Sequence, residues 1–170
     1  FTLGISLWLH HEVKKQKAHI SMLKVSETIY QTCKTYLLQQ GKFLLMLFAF
    51  VAVIMAYYFL ALQGKSVGTL LFVLCFSILG MGGSYAVAWY GIRINNYANS
   101  RTAFASLRAN PWDVVNIPLR SGMSVGLFLI SLELVMMVVI LLFVPREIVG
   151  ICFLGFAIGE SLGASVLRIA

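Results

Sequence analysis

Charge is what this sequence has least of. Asp, Glu, Lys and Arg make up 11% of its 170 residues, against roughly 25% in a soluble domain. Six residues are acidic, and Asp113 is the single aspartate among them. A catalytic centre built from clustered Asp and Lys side chains therefore has no place in these residues. Cysteine is also scarce: Cys33, Cys75 and Cys152 are scattered, with no Cys-x-x-Cys spacing, which excludes a disulfide framework and a thiolate metal site and leaves them as packing residues. His10, His11 and His19 complete the short inventory of ligand-type side chains. The HHE run lacks the i, i+4 histidine pair of a zinc helix, so no metal site is expected, and the histidines read as interfacial and solvated.

What fills the chain instead is apolar: 60% of the residues are hydrophobic. Runs long enough to cross about 30 Å of hydrocarbon occur at Phe43–Leu62, Val67–Ile92, Ser121–Val144 and Ile148–Ala170, the last two interrupted only by Glu133, Glu160 and Arg168. The pattern predicts an all-α membrane protein, a bundle of spanning helices forming part of one polytopic domain over 1–170. FTLGISLWL at 1–9 is too short to cross and has no basic n-region. It reads as the tail of a first span, and the last span carries no Gly or Pro stop signal, so the chain is expected to be an N-terminal fragment of a larger bundle.

Ten Lys and Arg residues lie in 10–42 and 93–120, whereas the connections between the other spans hold only Lys65 and Arg146. By the positive-inside rule the two basic segments are cytoplasmic and the N-terminus is outside. The net charge of +7 is accordingly a topology signal. Nucleic-acid binding is not expected, because the basic residues are not interleaved with aromatics. MLKVSETIYQTCKTYLLQQ places Met22, Val25, Ile29, Cys33, Tyr36 and Leu37 at helical spacing, which predicts an amphipathic extension of the second helix packed by that face. RANPWDVVNIPLR, with Pro111 and Pro118, reads as a loop that re-enters the bilayer before Arg120, with Trp112 suited to the headgroup interface.

Glycines at 80, 82 and 83, at 122 and 126, and in the Gly155–Gly159–Gly163 ladder predict close helix contacts. An ionised Glu at the bilayer centre costs at least about 2.5–3.5 kcal/mol, so such residues usually face a bundle interior and mark ion or substrate pathways. Two qualify. Glu160 stands between Gly159 and Ser161 on the small-residue helix and is the stronger candidate. Glu133, flanked by Leu and Val, fits a functional or a protonated structural glutamate equally. Ser161 and Arg168 are seven residues apart and so share nearly one helix face about 10 Å apart along the axis. Arg168 can be a functional cation or an ordinary snorkelling arginine.

GIRINNYANSRTAFASL at 91–107 resembles the Gly-x-Arg-x-Ala-x-x-x-Asn-x-Arg-Thr-Ala segment after the third helix of membrane-bound, ion-pumping inorganic pyrophosphatases. VVNIPLRSGMSVGL, MLKVSETIYQTCKTYLLQQ and GFAIGESLGASVLRIA resemble that family's fourth-helix start, second-helix approach and fifth helix. The resemblance implies a homodimeric enzyme of about sixteen spans that hydrolyses pyrophosphate with Mg2+, in some members with K+, and exports H+ or Na+. It implies a catalytic-junction role for Arg168 and ion-gate roles for Glu160 and Ser161, with Glu160 on the fifth helix favouring protons. It places the parent in a bacterial plasma membrane ahead of an acidic organelle and leaves this fragment inactive alone. Asn95 departs from the family's alanine, and Glu133 has no family counterpart. The competing reading is a secondary transporter or non-enzymatic membrane subunit that binds an ion at Glu160 without hydrolysis.

Overall fold

The computed structural model describes residues 1–168. Five helices follow one another: α1, Thr2–Lys15; α2, Ile20–Ala56, whose last stretch widens into a π-helical segment at Tyr57–Leu62; α3, Val67–Ser106; α4, Pro111–Phe143; and α5, Val149–Arg168. Among the described residues there is no strand. Four of the helices, counting Ile20–Leu62 as one, are long and apolar enough to cross a membrane. The chain is therefore an all-α, multi-pass membrane protein. Many of its large apolar side chains point outward, Phe50, Leu71 and Leu142 being 67, 62 and 73% exposed, which suits contact with lipid rather than water.

The helix starts are set by local polar groups. The Ser21 N–H donates to His19 Nδ1 at 3.2 Å, the Thr69 N–H to Ser66 Oγ at 3.3 Å and the Trp112 N–H to Asn110 Oδ1 at 3.2 Å. Each satisfies one of the orphan donors of a first turn. Gly64, at φ 61°, and Ala109, at φ 55°, take the left-handed conformation in the two turns that separate the long helices.

The expected loop at RANPWDVVNIPLR is a helix instead. α3 runs to Ser106, a single turn follows, and α4 begins at Pro111 with Pro118 inside it. Proline is pre-organised for the first helical position, where no N–H is needed. One interior proline removes a single hydrogen bond, which a long membrane helix tolerates. Asn116 and Arg120 flank Pro118 and bond across it, Arg120 Nε donating to Asn116 Oδ1 at 3.3 Å.

The chain folds as two compact units, each of which takes part of α2, α3 and α4. Unit 1 comprises 1–36 and 87–133 and joins α1 to the beginnings of α2 and α4 and the end of α3. Its apolar cluster is Val13, Ala98, Ala105 and Ile117. Polar contacts do much of the joining. Ser6 Oγ donates to the Ser124 carbonyl at 2.7 Å and Ser124 Oγ returns a bond to the Ser6 carbonyl at 2.8 Å. The Tyr90 hydroxyl lies 2.7 Å from Ser124 Oγ. The Arg101 guanidinium, buried at 8% exposure, donates twice to the Lys14 carbonyl and so closes the C-terminus of α1. Asn95 accepts from Ser121 Oγ at 2.8 Å, a helix-to-helix bond that alanine at this position cannot make.

Two expectations change in unit 1. The α2 stripe packs only in part: Leu37 is buried and Met22, Cys33 and Tyr36 are half-buried, but Val25 and Ile29 are 61 and 46% exposed, while Ser26 is buried. Ser26 and Asn96 exchange two bonds, Ser26 Oγ to the Asn96 carbonyl at 3.1 Å and Asn96 Nδ2 to the Ser26 carbonyl at 2.8 Å. At this end of α2 a polar clasp, rather than the apolar residues beside it, faces α3. His10 is half-buried rather than solvated, its ring 5.4 Å from that of Tyr90 and 5.9 Å from that of Tyr97. Docking of α1 covers it. Burial, then Lys14, Arg93 and His11 nearby, push its pKa below the ordinary histidine value.

Unit 2 comprises 37–86 and the described residues from 134 onward. Its apolar clusters centre on Phe76, Ile140, Cys152 and Phe156, on Met55, Phe59, Leu70 and Val73, and on Leu44, Met81 and Val166. Between α2 and α3 the Tyr85 hydroxyl donates to the Leu37 carbonyl at 2.9 Å, and its ring lies over Gly41.

Candidate functional site

The site with the densest small and polar contacts in unit 2 is the seam between α3 and α5. A Cβ added at Gly155 would come 2.8 Å from the Val73 carbonyl oxygen, and one at Gly163 would come 2.9 Å from Ser84 Cβ. At Gly159 it would overlap the Ser77 carbonyl, and at Gly80 the Phe156 carbonyl. All three rungs of the α5 ladder, with Gly80 facing them, thus bring two backbones together where no side chain fits. Serines bond across this close approach. Ser77 Oγ donates to the Gly155 carbonyl at 2.8 Å, and Ser84 Oγ donates to the Glu160 carbonyl at 2.9 Å.

Glu160 therefore sits on a helix whose position is fixed right at its own backbone. Its carbonyl is held by Ser84 and its predecessor Gly159 is locked on Ser77, while the residue itself is half-buried. The carboxylate is thus carried mid-helix, partly covered, on a backbone fixed against α3. Ser161 points elsewhere: it is exposed and lines a shallow groove of about 410 Å³ with Ala157, Ile158, Leu162 and Ser165. The two gate candidates are neighbours in sequence on different faces of α5.

Arg168 is the last residue of α5, and its side chain lies outside the described residues. Glu133 belongs to unit 1 and is half-buried on α4. Among the described residues no group of three or more His, Cys, Asp or Glu side chains comes together in a way that would hold a metal ion.

Ser77 and Ser84 were not singled out by reasoning from sequence. Ser84 closes the GMGGS run, so its proximity to a glycine patch was the available signal; Ser77, one turn before Gly80, had none. The expectation of close packing fails at other glycines: a Cβ at Gly82, Gly122 or Gly126 would meet open space. Four-residue spacing on α4 reflects no close neighbour among the described residues.

A multi-pass helical membrane protein with a glycine-locked, carboxylate-bearing helix is thus defined by fold and site together. The chain belongs to a particular class of such proteins, the inorganic H+ pyrophosphatases, whose family model matches residues 1–170. It is 53% identical over its whole length to the K(+)-insensitive pyrophosphate-energized proton pump of Chlorobaculum tepidum, and it spans 23% of that relative's length. No solved structure matches the chain.

Proposed function

We propose that this chain contributes the helices of 1–168 to a membrane-bound pyrophosphatase that couples pyrophosphate hydrolysis to proton export. The observation that carries this is the 53% identity along the entire chain to a pyrophosphate-energized proton pump. That relative's name supports protons over sodium and operation without K+. Pyrophosphate and its Mg2+ would be held mainly by residues outside this chain, whose sequence holds a single aspartate and no Asp/Lys cluster. In keeping with this, the chain alone is inactive in hydrolysis, and the working form is a homodimer in a bacterial plasma membrane. Its basic segments face the cytoplasm.

In this reading Glu160 holds and releases the transported proton. An ionised carboxylate in hydrocarbon costs about 2.5–3.5 kcal/mol or more, so carboxylates at this depth mark ion pathways. The α3 seam supplies rigidity, so that movement of a neighbouring helix past α5 changes the carboxylate's surroundings without moving its backbone. Ser161 lies on the face of α5 turned toward the 410 Å³ groove, where a further helix of the pump would complete the gate. Arg168, at the end of the same helix, would link the gate to the hydrolytic centre.

The test is pyrophosphate-driven acidification of sealed vesicles carrying the full-length protein, with Glu160→Gln alongside. Acidification by the native protein and its loss in the variant, at preserved expression, is the expected result. Vesicles that hydrolyse pyrophosphate and still acidify with Glu160→Gln would remove Glu160 from the proton path, and vesicles inert to pyrophosphate would overturn the pump reading itself.

A further inference from the structure

The ends of three helices in unit 1 enclose a cavity that the pump reading does not use. It measures about 220 Å³ and is lined by Lys15, Lys17, Arg101 and Arg108, with Phe104 and Asp113 among its other walls. Four cations thus face one carboxylate. Among the described residues none of the four is in an ion pair; the ion pair of this unit joins Arg120 and Glu12 at 2.6 Å. Asp113 accepts from Asn110 Nδ2 at 3.3 Å and offsets one of the four positive charges, leaving three in excess.

Two of the cations are held in place by the fold. Arg101 is over nine-tenths buried and makes four hydrogen bonds, two to the Lys14 carbonyl, one to the Tyr97 carbonyl and one to Ser100 Oγ. A guanidinium has five N–H donors, so one remains. Arg108 lies over the Phe104 ring, 5.3 Å from its centroid, a cation–π contact that restrains it at the cavity mouth. Positive charge that is merely left on the cytoplasmic side needs neither a buried anchor nor an enclosed volume. Trp112, 71% exposed and next in sequence to the cavity's Asp113, is the residue type that settles at headgroup level.

We infer that this cavity binds a phosphate-bearing anion: planar guanidinium forks and flexible ammonium groups, four cations against one carboxylate, are the donors such an anion requires. The phosphate can belong to an anionic lipid headgroup or be free in solution. The inference is independent of the pump reading, because its test measures binding and not pyrophosphate hydrolysis.

The protein, purified at the full length its cell makes, is compared with Lys17→Gln/Arg108→Gln and with a control pair, Lys24→Gln/Lys34→Gln, outside the cavity. Lys17 and Arg108 are exposed, so the helices persist, which a circular dichroism melt checks. Native mass spectrometry reads retention of phosphatidylglycerol against phosphatidylcholine, and a thermal-shift titration reads inorganic phosphate in neutral detergent. Loss of two lysine-or-arginine contacts is expected to weaken the occupant about 30-fold, with the control pair unchanged. An effect confined to phosphatidylglycerol identifies a lipid headgroup, and one on inorganic phosphate identifies a soluble phosphate. Equal retention of both probes by the native protein and the cavity variant overturns the site, as does an equal loss in the control pair.

Discussion

Gly159 shows how a single missing side chain positions a functional one. A Cβ there collides with the Ser77 backbone, and backbone cannot rotate away as a side-chain tip can. Gly159→Ala is expected to destabilise the protein by about 1–3 kcal/mol, the range for overpacking a filled interface, and to lower its thermal midpoint in detergent. Gly126→Ala, whose new methyl meets open space, leaves the midpoint unchanged or slightly raised through better helix propensity. Equal effects of the two substitutions would contradict the α3–α5 seam. The same comparison separates position from chemistry at the neighbouring residue: Ser84→Ala removes one interhelical bond, worth about 0.6 kcal/mol on average in membranes, and should perturb proton transport less than Glu160→Gln does.

At the scale of the element, α1 is the informative helix, because contacts to both α3 and α4 hold it in unit 1. It is tied at three levels: the Ser6–Ser124 pair, His10 between two tyrosines, and Arg101 on the Lys14 carbonyl. His10 makes this docking pH-sensitive. Its pKa in the folded protein lies below the ordinary value near 6.5, so the unfolded chain binds more protons in that range. Stability is then complete above about pH 6.5 and falls as pH drops through the folded-state value. Thermal midpoints measured from pH 8 to pH 5 are expected to decline more steeply for the native protein than for His10→Gln. Parallel declines would show that His10 does not charge against a penalty. The α2 helix illustrates a different competition. Its Ser26–Asn96 clasp satisfies two polar groups between helices and leaves Val25 and Ile29 turned outward.

For the whole molecule, orientation is the property that would give the proposed pump its direction. The proposed arrangement places Gln16, between α1 and α2, in the cytoplasm and Ser66, before α3, outside. Both are exposed, so each accepts a cysteine probe in a cysteine-free background. Ser66→Cys should react with a membrane-impermeant maleimide in intact cells, and Gln16→Cys only after permeabilisation. The reverse pattern would invert the topology and with it the direction of proton transport. The membrane spans themselves do not depend on that result, because they follow from helix length and apolarity.

Long charge-free runs, basic segments between them and the glycine ladder were legible in the sequence by itself, because each is a local rule: length against bilayer thickness, charge against insertion, spacing against helical period. They determined an all-α membrane protein and marked Glu160 on a closely packed helix. Only the tertiary structure decided which glycines are used, since Gly155, Gly159 and Gly163 meet α3 while Gly122 and Gly126, at the same spacing, meet no neighbour among the described residues. It also decided that Pro111 and Pro118 lie within a helix, that a serine–asparagine clasp joins α2 to α3, and that Arg101 closes α1 across 87 residues of chain. These outcomes share a physical reason: a glycine, a proline or a buried polar group offers only a possibility of contact, and the partner that realises it is supplied by another helix distant in sequence.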